Sequence, residues 1–120
     1  MQNLTNEQKR ELFLKEFKEC QPALTAIGDH TRQCIIITLI KNGGKGGLRV
    51  GDIQKETNIS RTAVSHHLKI LKESCIINVH REGTKNYYFI DPKSSSLKRL
   101  VRFLEQVEPI MELCENTKLK

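Results

Sequence analysis

The chain has 120 residues and a formal charge of +6, from 20 Lys and Arg against 14 Asp and Glu; that is enough for one domain with a modest core, and the charge suits an anionic partner or serves solubility alone. Aromatics make up only 5% and Trp is absent, which disfavours a single-strand nucleic-acid binder built on a stacking platform. The four cysteines, Cys20, Cys34, Cys75 and Cys114, form no C-x-x-C, no apolar leader opens the chain and no apolar run nears the ~20 residues of a spanning helix, so a cytoplasmic protein with reduced thiols and no membrane contact is expected.

Over residues 1–27, Leu12, Phe13, Phe17, Cys20, Leu24 and Ile27 recur at helical spacing, with Glu, Lys and Arg opposite. The helix could break at Pro22. Its apolar face either covers its own domain or meets a partner; Phe13 and Phe17 are large for a terminal helix and favour the partner. Asp29 is a good N-cap for a second helix over residues 30–42. The run from Cys34 to Ile40 is apolar nearly all round, which marks a central core helix, with a strand as the alternative for so β-branched a stretch. Residues 43–47, with four glycines, read as a flexible loop. It is not a phosphate-binding loop, because no strand precedes it and the G-x-x-x-x-G-K-[ST] spacing is missing.

Leu48-Arg49-Val50 reads as a short strand, and residues 51–57 as a short helix with Ile53 inward. Asn58 begins a turn, and Ser60 can cap a helix over residues 61–73, with Ile59 and Val64 at staple positions. Val64, Leu68 and Leu71 make its apolar stripe. Thr62, Ser65, His66 and Lys69 lie opposite, flanked by Arg61 and Lys72; each can donate a hydrogen bond and none is acidic. Such a face matches the acceptor-rich floor and phosphate walls of a DNA major groove. His67 falls beside the apolar stripe and reads as a packed, hydrogen-bonded histidine. Ile77, Val79 and Arg81 then alternate with Asn78 and His80, Gly83-Thr84 offers a turn, and Tyr87 to Ile90 returns as a hairpin with a basic tip. After the break at residues 91–96, Leu97, Leu100, Leu104, Val107, Met111 and Cys114 recur every three or four positions, a heptad seam on a long helix that Pro109 should kink. Two leftover apolar faces, one at each end of the chain, would bury one another across a two-fold axis.

Gly28-Asp29-His30-Thr31-Arg32, Ser65-His66-His67-Leu68-Lys69-Ile70-Leu71 and Arg81-Glu82-Gly83 with Tyr87-Tyr88 resemble, in order and spacing, the ArsR family of winged helix-turn-helix transcriptional repressors. The resemblance covers roughly residues 24–91. It implies a mainly α fold with a small β-hairpin, in which N- and C-terminal helices form a dimer interface. One domain, residues 1–120, would then comprise a dimerisation helix at 1–27, a winged-helix core at 28–91 and a second dimerisation helix at 94–118. The family usually has Pro where His30 stands and Gly where Cys75 stands, just past the recognition helix. Cys75 is therefore expected either to be strained at φ > 0, by roughly 1 kcal/mol, or to mark a different helix end.

The resemblance and the hairpin turn a face that would otherwise read as merely solvated into a site for double-stranded DNA. Thr62, Ser65 and His66 suit base edges; Arg61 and Lys69 suit guanine or phosphate; Arg81, Thr84 and Lys85 on the wing suit backbone or minor groove. Phe13, Phe17, Leu100, Leu104, Val107 and Met111 are the candidate interface of a homodimer. No metal and no cofactor are expected. Arg49 and Gly51 stand where the family's common thiolate site has cysteines, no His follows His80 for the other common site, and the adjacent His66 and His67 diverge by about 100° on a helix. Cys34 and Cys114, on the core and last helices, are candidates for a thiol switch, with small buried hydrophobes as the plainer reading. No acid pair or nucleophile–base set suggests an enzyme, and no residue pattern identifies a small effector. Two functions follow: a homodimeric, sequence-specific DNA-binding repressor, or a winged-helix protein-interaction module or anti-repressor that leaves DNA alone. The donor-rich face of Thr62, Ser65 and Lys69 favours the first.

Overall fold

A computed structural model of the chain describes residues 3–115. Helix α1 (Asn6–Ile27) opens on a reciprocal cap: the Thr5 hydroxyl accepts from the Gln8 N–H at 3.1 Å, and the Gln8 side chain accepts from the Thr5 N–H at 2.9 Å. It runs unbroken through Pro22. The buried residues Cys20, Ala23 and Ala26 straddle the proline, so packing on both sides holds the helix across the one backbone bond that Pro22 removes. Helix α2 (His30–Lys41) is capped as expected by Asp29, whose carboxylate accepts from the Arg32 N–H at 2.9 Å. Ile35, Thr38 and Leu39 are buried at helical spacing, so the β-branched run is helix and not strand.

Helices α3 (Val50–Thr57) and α4 (Arg61–Glu73) form the helix-turn-helix. Asn58 makes the turn at φ 59, a left-handed conformation that Asn tolerates, and the Ser60 hydroxyl caps α4 by accepting from the Ala63 N–H at 3.2 Å. The strand expected at residues 48–50 is not formed. Leu48 alone pairs, exchanging backbone hydrogen bonds of 2.8 and 2.7 Å with Tyr88, and Arg49 is already the N-cap of α3. Gly47 permits that single bridge: it sits at φ 96, and a Cβ there would come within 2.9 Å of the Tyr88 carbonyl oxygen. The wing is an antiparallel hairpin, β1 (Ile77–Glu82) and β2 (Lys85–Ile90), in register from Ile77 opposite Ile90 to Glu82 opposite Lys85, with Gly83 at φ 62 in the turn.

Cys75 takes the left-handed conformation, φ 62, so the strained alternative is the one realised. The Cys75 N–H donates to the Lys72 carbonyl and the Ile76 N–H to the Leu71 carbonyl, both at 3.0 Å. This is the Schellman pattern, closed by contact between the buried Leu71 and Ile76, with cysteine in the place glycine fills most cheaply.

The long final helix expected over residues 94–118 is instead two, α5 (Ser95–Glu105) and α6 (Val107–Glu115), parted at Gln106; positions 116–118 lie outside the described residues. In a continuous helix the Pro109 ring would clash with the Glu105 carbonyl. Restarting at Val107 puts Pro109 in a first turn, where its missing N–H goes unused.

Two clusters of buried residues hold the chain. The larger joins α2, α3, α4 and β1 through Ile35, Ile53, Val64, Leu68 and Ile77. The smaller joins α1 to α5 through Cys20, Leu100 and Phe103. Phe103, absent from the heptad seam, stacks on Phe13 at 4.8 Å and meets Phe17 at 5.1 Å between ring centroids. This aromatic contact turns α5 so that Leu100 and Phe103 face inward and Leu104 stays 52% exposed.

Candidate nucleic-acid interface

Helix α4 is anchored by its apolar stripe: Val64, Leu68 and Leu71 are essentially inaccessible. An α-helix that buries one stripe presents the opposite one, so Arg61, Thr62, Ser65, His66 and Lys69 all stand exposed. The wing residues Arg81, Thr84 and Lys85 are exposed as well. The Arg81 Nε–H donates to the Gly83 carbonyl at 2.9 Å, which braces the guanidinium along the turn, and Glu82, the acid at the tip, lies 3.3 Å from the His80 ring. Arg61 and Thr84, read from opposite ends of the site, come together round one polar cleft of about 320 Å³. Its other walls are Arg49, Gly51, Asp52 and Asn86. Reading the sequence missed Arg49 and Asn86, because what puts them there is the packing of α3 against the wing.

His67 is tied in behind this face. Its Nδ1 lies 3.2 Å from an Arg32 terminal nitrogen. A guanidinium can only donate, so Nδ1 accepts and the ring is the neutral tautomer with its proton on Nε2. Burial pushes the His67 pKa down; the Asp29 carboxylate, 4.0 Å away, opposes the shift, and the Arg32 and His66 charges add to it. Arg32 also donates from Nε to the Ala26 carbonyl at 2.7 Å and from Nη2 to the Thr25 carbonyl at 3.2 Å. The last turn of α1, the first turn of α2 and the middle of α4 thus meet at one side chain. Asp29 itself is held below the usual carboxylate range, chiefly by the Arg32 N–H it accepts.

The candidate dimer residues divide. Leu100 is 8% exposed and packs on its own chain's α1, and Phe13 is half-buried in the stack on Phe103. Phe17, Leu104 and Met111 (60%) are exposed and Val107 is half-buried; Leu12, read on the apolar face of the first helix, and Val101, which was not foreseen, add apolar surface. The two candidate switch cysteines do not meet within one chain. Among the described residues α2 and α6 make no approach within 8 Å between Cα atoms, beyond the ~7 Å that a disulfide spans, so Cys34 and Cys114 of one chain cannot be bridged. The break at Gln106 is the reason, because it lays α6 against α1. Cys34 lies instead 3.7 Å from the His30 Nε2. Among the described residues no group of three or more His, Cys, Asp or Glu side chains gathers as metal ligands, and no helix is long and apolar enough to cross a membrane.

Residues 30–79 match the family described as bacterial regulatory protein, arsR family. The chain is 42% identical over 66 residues to the transcriptional repressor SdpR of Bacillus subtilis, covering 55% of this chain and 69% of that protein. It is 33% identical over 79 residues to the HTH-type transcriptional regulator Rv2034 of Mycobacterium tuberculosis, covering 66% and 70%. Among solved structures, an ArsR-like transcriptional regulator from Rhodococcus sp. RHA1 superposes with a TM-score of 0.67 at 19% identity, over 88% of this chain and 98% of that one. The transcriptional repressor BigR from Xylella fastidiosa gives 0.61 at 20% identity, over 92% and 99%. At such identities the structural likeness speaks for the fold.

Proposed function

This chain belongs to the arsR family of bacterial regulatory proteins, DNA-binding regulators of transcription and not enzymes, and from that premise we propose that it is a homodimeric, sequence-specific repressor in the cytoplasm, working without a bound metal. Each copy would lay α4 in a major groove and rest the β1–β2 turn on the adjoining backbone, with the two α4 helices roughly 34 Å apart. Thr62, Ser65 and His66 read base edges, Arg61 and Lys69 take guanine or phosphate, and Arg81, Thr84 and Lys85 hold backbone or minor groove.

The observation that carries this reading is the division of α4 into an inaccessible apolar stripe and an exposed face on which Arg61, Thr62, Ser65, His66 and Lys69 are all donors, the one acid of the helix, Glu73, standing in its last turn. A surface evolved to grip protein would carry apolar residues there, which weighs against the interaction-module alternative. The dimer rests on the apolar surface of α1, α5 and α6 that the chain leaves uncovered, Phe17, Leu104 and Met111 above all. The metal-free reading rests on Arg49 and Gly51, which cannot supply thiolates.

The test is a gel shift against the DNA upstream of the protein's own coding region, at low and moderate salt. Wild type should shift it, with affinity falling steeply as salt rises. Arg61→Ala with Lys69→Ala should abolish the shift while the protein stays folded. A retained shift in the double variant sinks the assignment of α4 as the reading helix.

A further inference from the structure

Gly51 is a glycine that the fold does not need. It lies in the first turn of α3 with an ordinary negative φ, and a Cβ built on it meets nothing within 4 Å. Gly47 is different, forced by a positive φ and a close backbone. Glycine in a helix is less favourable than Ala by up to about 1 kcal/mol, so its presence at an unconstrained helical position asks for something outside the chain that comes close. What it opens onto is the polar cleft between α3, the start of α4 and the wing turn.

The chemistry of that cleft fits one kind of occupant. Arg49 and Arg61 stand on two of its walls, and among the described residues neither guanidinium has a carboxylate within ion-pair distance. The one acid there, Asp52, already accepts the Arg49 backbone N–H at 3.0 Å. Thr84 and Asn86 add neutral donors from the wing. Two guanidiniums against one carboxylate leave the cleft lining with a net positive charge, which favours an anion, and a guanidinium fork matches phosphate oxygens. The volume, about 320 Å³, admits a phosphate group together with the sugars that flank it.

We infer that this cleft is the seat of a single DNA backbone phosphate, held between Arg49 and Arg61 with Thr84 and Asn86, and that Gly51 is bare to let the strand approach. The inference rests on the DNA-binding reading and extends it to three residues, Arg49, Gly51 and Asn86. It also gives Arg61 a phosphate, so sequence discrimination falls to Thr62, Ser65 and His66, with Lys69 left for guanine or phosphate.

The probe is a short fluorescent duplex of arbitrary sequence, followed by anisotropy across a salt series. Arg49→Ala should weaken binding roughly tenfold, as expected for a lost hydrogen bond to a charged group, and should lower the slope of log affinity against log salt by about 0.9. Arg10→Ala, on the exposed face of α1, removes the same charge elsewhere and should leave the slope alone. Gly51→Ala should do two things of opposite sign, raising Tm by about 2–4 °C and weakening DNA binding. Wild type that binds the duplex while Arg49→Ala and Gly51→Ala bind equally well, with unchanged slope, overturns the proposal. So does saturable binding of free inorganic phosphate, seen by phosphorus NMR, that Arg49→Ala abolishes without touching the DNA slope. Wild type that binds no duplex fails the DNA reading itself, a separate outcome.

Discussion

Arg32→Ala should be among the more destabilising single substitutions this chain can suffer, and the structure gives the size. Arg32 donates three side-chain hydrogen bonds, to the Ala26 carbonyl at 2.7 Å, the Thr25 carbonyl at 3.2 Å and the His67 Nδ1 at 3.2 Å. Ala26 is 1% exposed, so water has little room to replace the lost donor. An orphaned buried acceptor costs about 1–3 kcal/mol. Thr25 is exposed and its carbonyl recovers a water, while the half-buried His67 nitrogen adds about 1 kcal/mol. The sum is about 2–4 kcal/mol, a large share of the roughly 5–15 kcal/mol typical of a domain. Arg32→Lys keeps the charge but not the fork that reaches α1 and α4 together, so it should recover less than half. Urea unfolding at fixed protein concentration gives the loss from the midpoint at constant slope. DNA affinity, measured where the variant is still folded, should fall as well, because α4 loses its tie to α1. A stability loss under about 1 kcal/mol, or full rescue by Lys, would refute the reading of Arg32 as the joint of three helices.

Three further expectations are open to simpler checks. Because the folded state holds His67 below its ordinary pKa, the unfolded chain takes up this proton first as pH falls. Stability is therefore complete above about 6.5 and is lost as pH drops from there through the folded value; His67→Gln should flatten that part of a stability–pH curve, and an unaltered curve refutes the assignment. Cys75→Gly should raise stability by about 0.5–1 kcal/mol, because the exposed side chain gives up no packing while glycine accepts φ 62 without strain; thermal unfolding under reducing conditions, with Cys75→Ser as the unchanged control, reads this directly. Leu104→Glu with Met111→Glu changes two exposed side chains and should leave a lone subunit nearly as stable as before, yet shift light-scattering mass from dimer to monomer; a dimer that survives both charges places the interface elsewhere.

What could be read from the sequence was local. Caps at Asp29 and Ser60 work within three residues, and both are found where expected. The stripe Val64, Leu68, Leu71 needs only helical periodicity, and Cys75 in a glycine position needs only the end of a helix. What could not be read depends on a partner far along the chain. Leu48 pairs with Tyr88, forty residues on, and that one bridge replaces a strand. Phe103 belongs to no heptad; its burial is dictated by Phe13 and Phe17 of α1. Pro109 was visible, but whether it bends a helix or ends one turns on what the next segment can pack against.

The same distinction explains why the donor face of α4 was more legible than the surface proposed for dimerisation. A reading helix is defined by its complement: three buried residues fix the orientation of every other side chain on the element, and the rest is helix geometry. The terminal helices have no such constraint, because α1 and α5 first cover one another through Cys20, Leu100 and Phe103, and only the remainder is offered outward. An apolar periodicity in the sequence counts both uses together. Ile27 shows where they join, packing against the cluster under α4 and against the α1–α5 cluster alike, one residue from the Ala26 carbonyl that Arg32 holds. The apolar and polar links between the two halves thus fall on the same turn of α1, so a substitution at Ile27 should loosen what Arg32→Ala loosens, and the two effects should be less than additive.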